Sequence, residues 1–329
     1  MELTLLYMVV GFTLAAYSVV ANDSVQTLGT WLASNSDQPG NTEPSFHWRT
    51  LWLSASAVLL FTLWYGWYIN GGDISFGRLN KIPFQEVQWY HACAPAILLL
   101  LTRVGVPVST SFLVLSAFAS TFILEKMLVK SIMGYALAAI VAYVVWMVIE
   151  RIIDEKANKV PAKHKPFWRV GQWCTTGFLW YTWLSHDMAN IAVFHPRALS
   201  VEWMMFISFI FVAFLGYTFY ERGGKIQKVV LEKTGTRYVR SATLIDLVYA
   251  FILLFFKELN DIPMSTTWVF VGLLCGRELS ISTVMKNYKF KHVFPIIGRD
   301  FLKMMLGLIV SVGIVLAIHY VIIPNGLYY

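Results

Sequence analysis

The sequence predicts an all-α polytopic membrane protein. Its two inverted-topology repeats hold about five transmembrane segments each, with broken helices or re-entrant hairpins at two Pro-x-Ser-Thr motifs. Three observations predict this. The 329 residues are 57% hydrophobic and only 14% charged, against about 25% charged in an ordinary soluble domain. A soluble globule of that composition lacks the polar surface to cover itself. Apolar stretches recur in two groups of five, and two polar motifs occur once in each half, in the same order.

A spanning helix needs about 20 predominantly apolar residues. In chain order the stretches are 3–21, 51–69, 88–102, 107–124 and 131–149, then 172–194, 202–220, 242–258, 263–280 and 301–323. Residues 3–21 read as a retained first helix, because Glu2 is the only charge ahead of the run and a signal peptide needs a basic leader. The domain division is a first repeat at 1–150, a basic cytoplasmic linker at 151–171, and a second repeat at 172–329. Five crossings per half make the second repeat enter from the opposite side, the architecture of many secondary transporters.

Charge sets the orientation. With ten crossings and both termini outside, nineteen of the 26 basic residues fall in inside loops and six in outside loops. Cytoplasmic loops carry the excess of Lys and Arg, so both termini are predicted outside a plasma or inner membrane. The net charge of +7 is then a topology signal and not a nucleic-acid footprint. Cys93, Cys174 and Cys275 lie far apart without CxxC spacing and read as buried thiols. His91, His195 and His319 read as interfacial or hydrogen-bonded side chains, and Trp64 to Tyr68 as an aromatic belt. Asn35 to Glu43 reads as a polar loop.

The first repeated motif is acidic. Ala21-Asn22-Asp23-Ser24-Val25-Gln26 lines up with Ser185-His186-Asp187-Met188-Ala189-Asn190. A carboxylate at bilayer depth is costly and is kept for function. Asn22, Gln26 and Asn190 add amides, so each motif offers oxygen ligands for a small cation and N–H donors for an anion. The 23/26 and 187/190 spacings put each pair on one helical face. His186 is a candidate proton carrier or a supporting hydrogen-bond partner.

The second motif is Pro107-Val108-Ser109-Thr110-Ser111, matched by Pro263-Met264-Ser265-Thr266-Thr267. Pro and Ser/Thr ahead of an apolar run are a helix-start signal. The free N–H groups of a first turn, together with the helix dipole, suit an anion. Neither motif contains Lys or Arg. Arg103 precedes Pro107 but has Leu259 as its counterpart. A divalent anion beside Asp23 and Asp187 therefore calls for coupling cations, sodium or protons.

These motifs resemble the signature of the inorganic phosphate transporter (PiT) family, the phosphate/sulfate permeases. That signature is close to Gly-Ala-Asn-Asp-Val-Ala-Asn-Ala once per half, with a Pro-Val-Ser-Thr-Thr pattern in each half. The resemblance implies an inverted repeat whose hairpins meet at a central site. It implies import of inorganic phosphate by symport with sodium, with sulfate or another oxyanion, or proton coupling, as the alternatives. Carried over by position, the substrate site would hold Asn22, Asp23, Ser109, Thr110, Ser111, Asp187, Asn190, Ser265, Thr266 and Thr267. The cation site would hold Asp23, Gln26, Asp187 and Asn190. Gln26 and His186 depart from the pattern, which expects Asn at both places.

No transition metal, organic cofactor or catalytic residue is expected, and the protein is not expected to be an enzyme. An intramembrane lipid enzyme would cluster carboxylates or His at metal-ligand spacing, whereas each acidic motif has a lone Asp. A passive anion channel would line its pore with Lys or Arg. The expected partners are phosphate, sodium and membrane lipid, with no nucleic acid. A homodimer is left open.

Overall fold

The computed structural model describes residues 2–35, 46–103, 108–152, 164–221, 239–259, 261–284 and 290–324. Every regular element among them is helical. Pro107, most of the Asn35–Glu43 loop and most of the basic stretches at 151–163 and 222–238 lie outside the described residues.

Helix α1 (Glu2–Ser18) runs through a π-helical turn (Val19–Ser24) into α2 (Val25–Asn35). Leu3–Asn35 is one apolar rod of 33 residues, longer than the expected 3–21. Beyond Asp23 the residues Val25, Leu28, Trp31 and Leu32 are apolar and buried, so the helix meets no breaker. Next come α3 (Trp48–Ile69), α4 (Trp89–Arg103) and α5 (Thr121–Ile152). The second half has α6 (Lys165–Asp187), α7 (Ala189–Ala192), α8 (Val201–Tyr220), α9 (Val239–Leu259), α10 (Thr266–Val284) and α11 (Phe290–Ala317). Among the described residues, five helices are long and apolar enough to cross a membrane: Leu3–Asn35, Trp48–Ile69, Thr121–Val148, Val201–Tyr220 and Ile297–Ile322.

At the first Pro-x-Ser-Thr motif, residues 108–124 form no single continuous helix. Only Ser111–Leu115 coils there, as a five-residue π-helical turn. The chain then turns through 116–119 before α5 begins at Thr121. Gln85 Nε2 donates to Phe118 O at 2.8 Å and His91 stacks on the Phe118 ring at 4.0 Å, so side chains from the α3–α4 loop and α4 hold the turn. The second copy is different: α10 is a continuous helix of 19 residues.

Helices pack in pairs: α1 on α4, α6 on α9, α3 on α8, and α5 on α10. The α5–α10 pair is closest. A Cβ on Gly272 would stand 2.3 Å from Tyr135 O, and one on Gly276 would stand 2.0 Å from Ala139 O. Small residues at this spacing let helix backbones touch, the usual basis of helix association in lipid.

Two smaller expectations change. Only Cys275 is buried; Cys93 and Cys174 are exposed, on helix faces turned away from the bundle. His91 and His195 are buried, at 1% and 0% exposure; His91 Nδ1 accepts from Gln88 N at 2.9 Å, so the change concerns His195 alone. His195 packs on Phe12 and Trp203, and neither of its ring nitrogens has a partner among the described residues.

Candidate functional site

Four short segments converge inside the bundle: the π-helical turn at 19–24, residues 108–111, the α6–α7 junction, and the start of α10. They bring together two carboxylates, Asp23 at 2% exposure and Asp187 at 1%. A buried carboxylate is tolerated only when hydrogen bonds or charges compensate it, so its partners define the site.

Asp187 has three donors. Ser111 Oγ and Asn190 Nδ2 donate to Oδ1 at 3.0 and 3.2 Å, and Thr266 Oγ1 donates to Oδ2 at 2.6 Å. Trp183 Nε1 donates to Thr266 Oγ1 at 3.3 Å, and the Tyr249 hydroxyl to Thr266 O at 3.0 Å. One carboxylate is thus gripped by the Ser/Thr segments of both halves.

Asp23 is held more loosely. Asn22 Nδ2 donates to Asp23 Oδ1 at 2.7 Å and to Val108 O at 2.9 Å. Thr267 Oγ1 donates to the same Val108 carbonyl at 3.5 Å. Thr110 faces Asp23 too loosely for a hydrogen bond of standard geometry. Thr110 Oγ1, Asp23 Oδ2 and Asn190 Oδ1 are buried without a hydrogen-bond partner among the described residues. All three are oxygens able to accept, the donor chemistry of a small hard cation.

The two serines that open the motifs act as caps. Ser109 Oγ accepts from Phe112 N and Ser265 Oγ from Trp268 N, both at 3.2 Å. These oxygens accept from backbone and keep their O–H groups as donors, while Thr110, Ser111, Thr266 and Thr267 face the acidic residues or their neighbours. The Asp23–Gln26 pairing expected from an i, i+3 spacing does not form. Gln26 Nε2 donates instead to Asn22 Oδ1 at 2.9 Å, an i, i+4 pair at the end of the π-helical turn. Such turns interrupt α-helices often at functional sites. His186 Nε2 is 2.7 Å from Leu253 O, which commits that nitrogen to α9.

Several residues went unnoticed in the sequence. Asp246 is buried in α9, with Thr30 Oγ1 donating to Oδ1 at 2.5 Å and Thr176 Oγ1 donating to Oδ2. A lone carboxylate within the apolar run 242–258 was the available signal. A cavity of about 70 Å³ between α2, α3 and α6, walled by Trp31, Trp173 and Trp180, touches Thr176 and not the Asp187 cluster. Arg78 and Lys130 are buried to 1% and 4% exposure. Burial pushes Arg78 down to about 10, opposed by the charges of Asp261, Asp187 and Glu258. Nothing in a polar loop sequence marks an arginine for burial.

Long apolar helices around a buried polar centre define an integral membrane protein. Its fold matches a solved structure described as "The sodium-dependent phosphate transporter", at a TM-score of 0.63 and 15% identity, over 98% of this chain and 100% of that one. At that identity the likeness is one of fold. No protein-family model matches the chain, and no curated protein does.

Proposed function

We propose that the protein is a secondary active transporter that imports inorganic phosphate by symport with sodium. The observation that carries this reading is the asymmetric satisfaction of the two carboxylates. Both oxygens of Asp187 are occupied by neutral donors from both halves. Asp23 Oδ2, Thr110 Oγ1 and Asn190 Oδ1 have buried acceptor capacity to spare. Sodium at the spare oxygens would offset the carboxylate charge, and the Ser/Thr hydroxyls and the first turn of α10 would donate to phosphate.

The fold likeness supports the class, and the repeated motifs support the substrate. In this reading residues 1–150 and 172–329 are inverted repeats joined by a basic cytoplasmic linker at 151–171, with both termini outside. The similar pairings of α1 with α4 and of α6 with α9 support it. Coupling ions are the only cofactors proposed, and a homodimer remains an assembly to be measured.

The test is uptake of labelled phosphate by purified protein in liposomes, under a sodium gradient, a proton gradient or neither. Sodium-driven uptake that unlabelled phosphate suppresses supports the reading. Uptake driven by protons alone moves the coupling to a carboxyl proton. Uptake blocked by sulfate and indifferent to unlabelled phosphate replaces the substrate.

A further inference from the structure

Asp246 stands outside both repeated motifs, yet it joins the helices that carry the acidic ones. It lies on α9, 1% exposed, between Thr30 on α2 and Thr176 on α6. Helix α2 continues the turn that holds Asp23, and α6 ends on Asp187. Farther from those carboxylates the same two helices are joined again. Gln172 Nε2 donates to Ser34 Oγ at 2.5 Å, and Asn35 Nδ2 to Gln172 Oε1 at 3.1 Å. Thr30 and Ser34 are an i, i+4 pair, as are Gln172 and Thr176, so each pair shares one helical face. The seam between α2 and α6 is a row of hydroxyls and amides, and Asp246 is the carboxylate that closes it.

The site suits a proton and no larger cation. Asp23, Thr110 and Asn190 each have an acceptor oxygen without a partner among the described residues. The side-chain oxygens of Asp246, Thr30 and Thr176 are all bonded to one another. The hydroxyls close directly on the carboxylate, whereas a metal ion needs its oxygens spread around it. Among the described residues no basic side chain bonds Asp246. Helix α2 has no titratable side chain. On α6, Arg169 donates to Ser34 O, Asn35 Oδ1 and Gln172 Oε1, and His186 and Asp187 lie at the far end. On α9, the Arg240 guanidinium lies 5.3 Å from the centre of the Trp168 ring. Tyr249 donates to Thr266 O, and Lys257 and Glu258 lie about three turns on. On α10, Arg277 pairs with Glu278 at 3.0 Å, and on α5, Lys130 donates to Ile262 O. Thr176 also lines the cavity of about 70 Å³ between α2, α3 and α6, which is large enough for water to exchange a proton.

Burial disfavours an ionised carboxyl, and donated hydrogen bonds favour it. The charge on Asp246 therefore depends on both threonines staying in place. Neutral hydroxyls and amides can change partners when two helices separate. A buried carboxylate stripped of a donor is left uncompensated unless it takes a proton from water. We propose that Asp246 is a proton-binding site, ionised while Thr30 and Thr176 close on it and protonated when α2 and α6 part. Its effect on uptake rests on the phosphate-transport reading above, and the site itself does not.

Infrared spectra of the purified protein test the site directly, through the carbonyl stretch of a protonated carboxyl. Wild type and Asp246→Asn are compared across about pH 4–9, the span between an exposed and a deeply buried carboxyl. A band absent from Asp246→Asn should grow in wild type as the pH falls. Thr30→Val and Thr176→Val each remove a donor to the charged form. Their band should persist to higher pH, by about 1–2 pH units. Thr30→Ser should titrate as wild type does. A wild type without such a band, a band unchanged at every pH, or valine variants that titrate like wild type overturn the proposal. Should Asp246→Asn fail to fold, the shift between the valine variants and wild type decides it. Uptake in liposomes at saturating sodium tests the tie to helix movement. Asparagine mimics the neutral acid, so the uptake ratio of Asp246→Asn to wild type should be near one where the band is full. It should depart from one as the band fades, and the ionisation of phosphate cancels in the ratio. A ratio constant across the range overturns the tie to α2–α6 movement. Wild type that accumulates no phosphate sinks the transport reading, and the infrared titration alone then decides Asp246.

Discussion

Thr266 Oγ1 donates to Asp187 Oδ2 across 2.6 Å, and this contact ties the first residue of α10 to the last residue of α6. Ser111 reaches the other carboxylate oxygen from the first half of the chain. Asp187 is therefore the joint between the two Ser/Thr segments, and any movement of either must remake a bond to it.

Removal of that hydroxyl has a predictable effect. Thr266→Val keeps the shape and removes one hydrogen bond to a charged group, about 1.5–3 kcal/mol. Phosphate uptake should fall by about tenfold to a hundredfold. Thr266→Ser, which restores a hydroxyl, should recover most of the rate. Equal uptake by Thr266→Val and wild type in liposomes would remove this contact from the transport cycle.

The α5–α10 contact gives a stability prediction that leaves the polar site untouched. Gly276→Ala would push a Cβ to 2.0 Å from Ala139 O. Backbone cannot swing aside as a side chain can, so the helices must part, at a cost of about 1–3 kcal/mol. Gly313→Ala on α11 meets nothing within 4 Å and should be neutral or slightly stabilising through helix propensity. Thermal unfolding in detergent compares them. The packing argument fails if both variants melt alike.

Most helices were legible because long apolar runs with few charges have little choice in lipid. Whether residues 107–124 cross or turn back was not legible, because an apolar run that turns back looks the same as one that crosses. The brake lies elsewhere, in Gln85 and His91 holding Phe118. At the site, the residue types were legible but their pairing was not. Gln26 pairs with Asn22 and not with Asp23, and spacing alone does not choose between an i, i+3 and an i, i+4 neighbour on one helical face. Repetition pointed to Asp23 and Asp187, while Asp246 has no counterpart in a repeated motif and was passed over.

Asp246 offers a test of how a buried carboxylate is accommodated. Asp246→Leu strands the hydroxyls of Thr30 and Thr176, each a buried donor worth about 1–3 kcal/mol when left unpaired. The single variant should lower the unfolding temperature clearly, and Asp246→Asn by less. Replacing all three polar groups, as Thr30→Val, Thr176→Val and Asp246→Leu together, should restore much of the loss, because no polar atom is then left unmatched. A triple variant less stable than Asp246→Leu alone would refute this account.

The two acidic motifs should respond differently to neutralisation. Asp23 has one oxygen without a partner among the described residues, as do Thr110 and Asn190. In Asp23→Asn an amide N–H₂ can occupy that place, and it cannot ligate a cation. The sodium concentration for half-maximal uptake should rise by about tenfold or more, with a smaller change in the phosphate KM at saturating sodium. Asp187 has both oxygens engaged by Ser111, Asn190 and Thr266. Asp187→Asn sets an amide donor against hydroxyl and amide donors, so the Ser/Thr segments lose their joint and uptake should collapse at every sodium concentration. Sodium titrations of uptake for the two variants separate these outcomes. If Asp187→Asn is rescued by sodium and Asp23→Asn is not, the cation belongs with Asp187 and the roles assigned to the two carboxylates are reversed.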